Sequence, residues 1–134
     1  MFQGKRKAIT FSFDDGVTQD RRLIALLDKY GLKASFPLNS SSLGKPGHID
    51  YGQFHASHDK VSPEEVQELY RHHEVLVHTV HHPDLIQCDE TTIIYEVEDD
   101  RKALESLFGK PIIGMAYPFG TYDEKVVKTI QNQT

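Results

Sequence analysis

Three short segments of the chain carry residue types at spacings that can do chemistry. Asp14-Asp15-Gly16 sets two carboxylates side by side before a glycine. Neighbouring side chains diverge, which suits a division of labour: one carboxylate binds a metal and the other accepts a proton. His78-Thr79-Val80-His81-His82-Pro83 puts His78 and His82 four residues apart. That spacing can bring both imidazoles to one side of a turn, as metal-binding pairs require. Pro83 disfavours helix at His82, so a single turn is expected there rather than a helix. The third segment is Tyr117-Pro118-Phe119-Gly120. Taken singly, each has a plain structural reading, as a strand-to-loop turn or a solvated loop. Together, two histidines and an aspartate make a facial ligand set that leaves metal positions open to water and substrate. The chain's eight histidines, dispersed through its middle, strengthen that reading.

The elements that must position these residues follow from periodicity and breakers. Ala8 to Phe13 is β-branched and aromatic and stops at Asp14-Asp15-Gly16, predicting a strand. Arg21 to Tyr30 repeats Leu23, Leu26, Leu27 and Tyr30 at helical spacing, with Gly31 as cap. Lys33 to Leu38 predicts a second strand, and residues 39–60, rich in Gly, Ser, His and Asp, one long surface loop. Ser62-Pro63-Glu64-Glu65 starts a helix running to about His72. A third strand is predicted at Glu74 to His78, a long helix from Thr92 to Phe108 ending at Gly109, a fourth strand at Ile112 to Tyr117, and a last helix from Tyr122 to Ile130. Alternating strands and helices argue an α/β domain with a mostly parallel sheet. At roughly 30 residues per βα unit the chain has room for about four, half of a β/α barrel. All three chemical segments then follow strands at their carboxyl ends, the face that carries sites in parallel α/β folds.

Bulk properties bound the partners. The 134 residues suit one domain, with 38% hydrophobic and 26% charged residues. A net charge of −5 and no basic run longer than Lys5-Arg6-Lys7 argue against a nucleic-acid partner. No apolar run approaches the ~20 residues needed to span a bilayer. The first seven residues have charge but no apolar stretch behind them, so no signal peptide is expected and the chain as given reads as cytoplasmic. Cys88 stands alone, which excludes an internal disulfide and a cysteine-rich zinc cage. An open half barrel leaves two sheet edges unpaired, so a continuing chain or a homo-oligomer is expected to cover them.

These motifs resemble the polysaccharide deacetylase family, the NodB-homology domain of carbohydrate esterase family four. The resemblance rests on Thr10-Phe11-Ser12-Phe13-Asp14-Asp15-Gly16, on His73 to Pro83, on Ala116-Tyr117-Pro118-Phe119-Gly120 and on the strand Ala34 to Asn39. It covers residues 7 to about 130. It implies an incomplete (β/α) barrel of the NodB-homology type, about four parallel strands with flanking helices, with residues 1–134 as the N-terminal part of that domain. It further implies a hydrolase that removes acetyl groups from an N-acetylated or O-acetylated polysaccharide. Carried over position by position, Asp14 is the catalytic base and Asp15, His78 and His82 are the metal ligands. Phe119 offers a backbone N–H to the oxyanion, and Tyr117 and Pro118 line the substrate. The metal implied is Zn²⁺, although Asp-His-His also suits Co²⁺, Ni²⁺, Mn²⁺ or Fe²⁺. Members of the family are often extracellular.

Two departures stand out. Ala116 replaces the family's arginine that orients the base, although some branches carry alanine-tyrosine-proline there. The family's later Leu-x-His motif, which supplies the general acid, is not in the chain; losing that proton donor lowers the rate by roughly 10²–10⁴. A weak or inactive enzyme is therefore expected from these residues alone, with His81 the remaining stand-in. Two rival readings are a hydrolase of small cyclic amides on the same fold, and a catalytically dead metal- and carbohydrate-binding domain. Elsewhere, His55, His58 and Asp59 form a competing cluster in the long loop, read as solvated or as a substrate rim. His72 and His73 are read as imidazolium at a helix end, and Cys88 as a small apolar packer.

Overall fold

The computed structural model describes Gly4 and residues 6–132; part of the N-terminal stretch read for a leader lies outside them, as do Gln133 and Thr134. Four parallel segments lie side by side in chain order. Ser12 bridges Ser35; β1 (Ser35–Leu38) pairs with β4 (Glu74–Val77) from Ser35↔Glu74 to Leu38↔Val77; Val77 bridges Met115. Between them run α1 (Asp20–Lys29), α2 (Pro63–Leu69) and α3 (Glu90–Phe108), and α4 (Glu124–Gln131) follows. Sequential parallel strands with helical crossovers are the β/α-barrel arrangement, here incomplete.

Only the two inner segments form regular strands. Ala8–Phe13 and Ile112–Tyr117 reduce to single bridges, at Ser12 and at Met115. The first is held through Ser35 N–H to the Phe11 carbonyl (2.9 Å) and Phe13 N–H to the Ser35 carbonyl (3.0 Å). The last is held through Val77 N–H to the Gly114 carbonyl and Ala116 N–H to the Val77 carbonyl, both 2.9 Å. Gly114 permits this approach: a Cβ there would sit 2.7 Å from Leu76 Cδ2. On the open side Ile113 is 92% exposed.

The helices follow the predicted faces with one difference. Ile24 and Leu27 of α1 are buried, while Leu26 and Tyr30 point to solvent. For α3, Asp89 accepts from Thr92 N–H at the start and Gly109 closes the end in the left-handed conformation. Pro63 opens α2 as expected, although the Ser62 hydroxyl makes no cap bond. Asp123 caps α4 by accepting from Val126 N–H. The core joins Phe36, Leu38, Val75 and Val77 of the sheet to Ile24, Leu27, Val66, Tyr70, Val97, Leu104 and Phe108 of the helices.

Residues 39–60 are not one loop. They contain an exposed antiparallel hairpin, β2 (His48–Tyr51) and β3 (Phe54–Ser57), in the register His48↔Ser57 to Tyr51↔Phe54. Its two-residue turn places Gly52 at φ +60, the backbone that a tight hairpin turn demands at its first central position. The strand residues are exposed on both faces, so no apolar alternation marks them.

Candidate metal centre

Asp15 sits where the first parallel segment ends, fixed by its N–H to the Pro37 carbonyl (3.0 Å). His78 follows β4 directly, and His82 lies at the end of the same loop. One carboxylate oxygen of Asp15, Oδ1, is 3.8 Å from His78 Nε2 and 3.7 Å from His82 Nε2. The two imidazoles meet edge to face with centroids 4.7 Å apart. These separations are too long for hydrogen bonds. They suit donors around one ion: two ligand atoms about 2.1 Å from a tetrahedral metal are about 3.4 Å apart. The three donor atoms all lie within 4.8 Å of one another, and among the described residues this is the one such group of three or more.

The loop that carries the histidines is bound at most of its backbone polar groups. Asn39 Nδ2 donates to the carbonyls of His78 and Thr79, and Ser41 Oγ to that of Val80. His78 N–H donates to Asp100 Oδ2 (3.0 Å), His81 N–H to Glu96 Oε2 (2.8 Å) and His82 N–H to Thr79 Oγ1 (3.0 Å). Glu96 and Asp100, one turn apart on α3, are both buried. These bonds hold a strained backbone. Thr79 (φ 71) and His82 (φ 57) are left-handed, and Asp15 (φ 75) and Phe119 (φ 59) share that conformation at the same face. Each costs on the order of 1–3 kcal/mol and persists only where the surroundings over-determine it. The His78–His82 segment is thus a braced, irregular bend and not a helical turn, because two of its residues cannot be helical. Thr79 braces it from a fully buried position.

Electrostatics prepare the donors. His78 is 1% exposed, and its Nδ1 faces the Ala116 carbonyl at 2.9 Å, so Nδ1 carries the proton. Burial holds its pKa below the ordinary value, against the opposing pull of that carbonyl. The remaining Nε2 is a buried lone pair with no hydrogen-bond partner. A buried orphan acceptor aimed at a carboxylate and a second imidazole fits a metal ligand. For Asp15, burial pushes the pKa up, but Lys60, the His58 hydrogen bond, His82 and His78 outweigh it and hold the carboxyl below the usual range. Neutral imidazole and ionised carboxylate are the forms a metal needs.

Asp14 also reaches His78, but from the solvent side, whereas Asp15 is largely covered. The Asp14 side chain is 61% exposed, with Oδ2 at 3.7 Å from His78 Nε2. Phe119 lays its ring edge on His82 with centroids 4.6 Å apart, and the residue is 69% exposed. Its N–H makes no hydrogen bond among the described residues. Pro118 is buried, and Tyr117 is half-buried, stacked on Tyr122 at 5.3 Å.

Several residues at this centre escape sequence reasoning. Asn39, Glu96 and Asp100 brace the histidine loop, and the Ala116 carbonyl sets the His78 tautomer. His58 Nε2 lies 2.9 Å from Asp15 Oδ2, so it belongs to the centre and not to a rival cluster. Asp59 binds the Gly47 N–H and the Ser57 hydroxyl, and His55 pairs with Asp50. His81 is engaged by Glu96, its Nδ1 2.8 Å from Oε1. His73 differs from its expected charged state at a helix end: it is buried against Phe36 and its Nδ1 accepts the Ala34 N–H. An acceptor nitrogen under a core is a neutral imidazole, and burial holds its pKa down.

The model of the family described as polysaccharide deacetylase matches residues 3–134. The chain belongs to the polysaccharide deacetylase family. Its fold recurs in the deacetylase PplD of Streptococcus pyogenes, solved with acetate, at TM-score 0.78 and 22% identity, covering 96% of this chain and 54% of that one. A polysaccharide deacetylase from Bacillus cereus gives 0.77 at 25% identity, over 95% and 38%. A pseudoenzyme of carbohydrate esterase family 4 from Bacillus anthracis gives 0.72 at 17% identity, over 96% and 41%. The chain therefore spans about half, or less, of the length of these three structures. No curated protein matches it in sequence.

Proposed function

We propose that this chain is the metal-holding part of a deacetylase, a hydrolase removing acetyl groups from an N-acetylated or O-acetylated polysaccharide. Residues 1–134 would then be the N-terminal part of a NodB-homology domain. The observation that carries the reading is the buried, unpartnered His78 Nε2 turned toward Asp15 and His82, with Asp14 beside it at the solvent edge. Asp15, His78 and His82 would hold a divalent ion, with Zn²⁺ proposed from the ligand types. A dication there supplies Lewis acidity toward an acetyl carbonyl and acidity to water.

The chain's own residues take the other roles. Asp14, exposed and next to the ligand set, is placed to accept a proton from attacking water. Phe119 offers an N–H with no acceptor among the described residues to the oxygen that gains charge. Its exposed ring, beside Tyr117 and Pro118, gives the rim an apolar face for a sugar ring. Acetate, the product of such a reaction, is named in the solved complex of the streptococcal relative.

A second reading has its own observation. Ala116 stands where the family's arginine would orient the base, and the Asp14 carboxylate makes no hydrogen bond among the described residues. A metal- and carbohydrate-binding domain with little turnover would look this way. Acetate release from N-acetylglucosamine oligomers in the presence of Zn²⁺ decides between them. Activity that Asp14→Asn abolishes while zinc stays bound supports the enzyme. Zinc and oligosaccharide binding without acetate supports the silent domain, and turnover of cyclic ureides alone would replace the substrate class.

A further inference from the structure

The two oxygens of Asp15 are used for different purposes. Oδ1 faces the histidines at 3.7 and 3.8 Å. Oδ2 faces away, toward His58 Nε2 at 2.9 Å and Lys60 Nζ at 3.7 Å. Asp15 is ionised and can only accept, so the His58 nitrogen donates to it. Lys60 is the larger surprise for a surface segment, because its side chain is only 11% exposed.

Neither contact is an accident of loose side chains. The segment carrying both residues is clamped from two sides. On one side His58 N–H reaches the Gly47 carbonyl, Lys60 N–H the Lys45 carbonyl, and Gly47 N–H the Asp59 carboxylate, all at 2.9 Å. On the other, Thr18 N–H reaches the Asp59 carbonyl (2.8 Å) and Val61 N–H the Gly16 carbonyl (2.9 Å), with Val17 bridging Lys60. The root of the hairpin and the Asp15 turn are one rigid unit. A Cβ on Gly47 would meet the His58 carbonyl at 2.9 Å, so that position requires glycine for the clamp to close.

We propose that His58 and Lys60 are positioning residues that fix Asp15 as a one-oxygen metal ligand. The inference rests on the metal reading of the Asp15, His78 and His82 group. A carboxylate free to rotate can offer both oxygens to an ion and fill a further coordination position. Here the second oxygen is held by a hydrogen bond and a cation, so that position stays open for water and substrate. Partners of this kind behind a ligand typically change metal affinity by about 10–100-fold when removed.

Co²⁺ is the probe, because its visible bands report coordination number and weaken as that number rises. Titrations of the full chain would compare wild type with His58→Ala, His58→Gln, Lys60→Met and the hairpin control His55→Ala. His58→Ala is expected to weaken Co²⁺ binding by about tenfold or more and to lower the intensity of the visible bands. Glutamine, whose amide N–H reaches the same place, is expected to restore both. Lys60→Met should shift them in the same direction, and His55→Ala should leave them unchanged. A merely structural role would lower thermal stability without changing the spectrum, and that result overturns the proposal. Wild-type affinity and spectrum in His58→Ala overturn it too, as does failure of glutamine to restore them. No Co²⁺ on the wild-type chain overturns the metal reading, and this inference with it.

Discussion

Replacing Asp100 by alanine tests how the histidine loop is held. The carboxylate is fully buried, with Oδ1 accepting Ser40 N–H at 2.7 Å and Oδ2 accepting His78 N–H at 3.0 Å. His78 N–H keeps a second acceptor, the Leu38 carbonyl at 3.1 Å. Ser40 N–H has no other partner among the described residues, so alanine leaves it unsatisfied, which costs about 1–3 kcal/mol. Loss of the second charge-assisted bond and the small cavity raise the total to about 2–5 kcal/mol. Burial raises the Asp100 pKa, against the opposing bonds from Ser40 and His78, so part of this loss is offset when the buried charge goes. The expected net effect in urea unfolding is thus nearer the lower figure. Zinc affinity should fall as well, because His78, a proposed ligand, loses the carboxylate that holds its backbone. An unchanged urea midpoint together with unchanged zinc affinity would mean that Asp100 does not hold the histidine loop.

Other outcomes follow from the same geometry. Asp20 is buried beneath Lys60 and Tyr70, and burial raises its pKa from 3.8 to about 6 against the Tyr70 hydrogen bond. A raised carboxyl stabilises the fold below about pH 4, and that stability is lost as pH rises through about 6, a difference of about 2–3 kcal/mol. Asp20→Asn should flatten the pH dependence of the urea midpoint across this window; an unaltered dependence counts against the assignment. Leu104→Ala, at a fully buried position of α3, should cost about 2–5 kcal/mol in unfolding while zinc content stays the same. Asp89→Ala removes the cap that accepts Thr92 N–H and should cost about 1 kcal/mol, read by thermal melting.

How much of this was legible in the sequence depended on what each residue touches. The strand-and-helix alternation could be read because Phe36, Leu38, Val75 and Val77 face a core and pattern accordingly. Asp14, Asp15, His78 and His82 could be placed together because parallel strands share a carboxyl-terminal face. The hairpin at His48–Ser57 could not, since exposed polar strands carry no period. Glu96 and Asp100 look like the solvated side of a helix until the loop that they hold is packed against them. His58 reaches Asp15 only through the path of a loop, and loop paths leave no pattern in composition.

The central claim is that Asp15, His78 and His82 form a metal site. Elemental analysis of the chain, stripped with chelator and reloaded with zinc, tests it most directly. Stoichiometric zinc is expected on the wild-type chain, and its loss in a folded His78→Ala variant. A wild-type chain that takes up no zinc, or a variant that keeps it, would show that these three residues do not hold a metal.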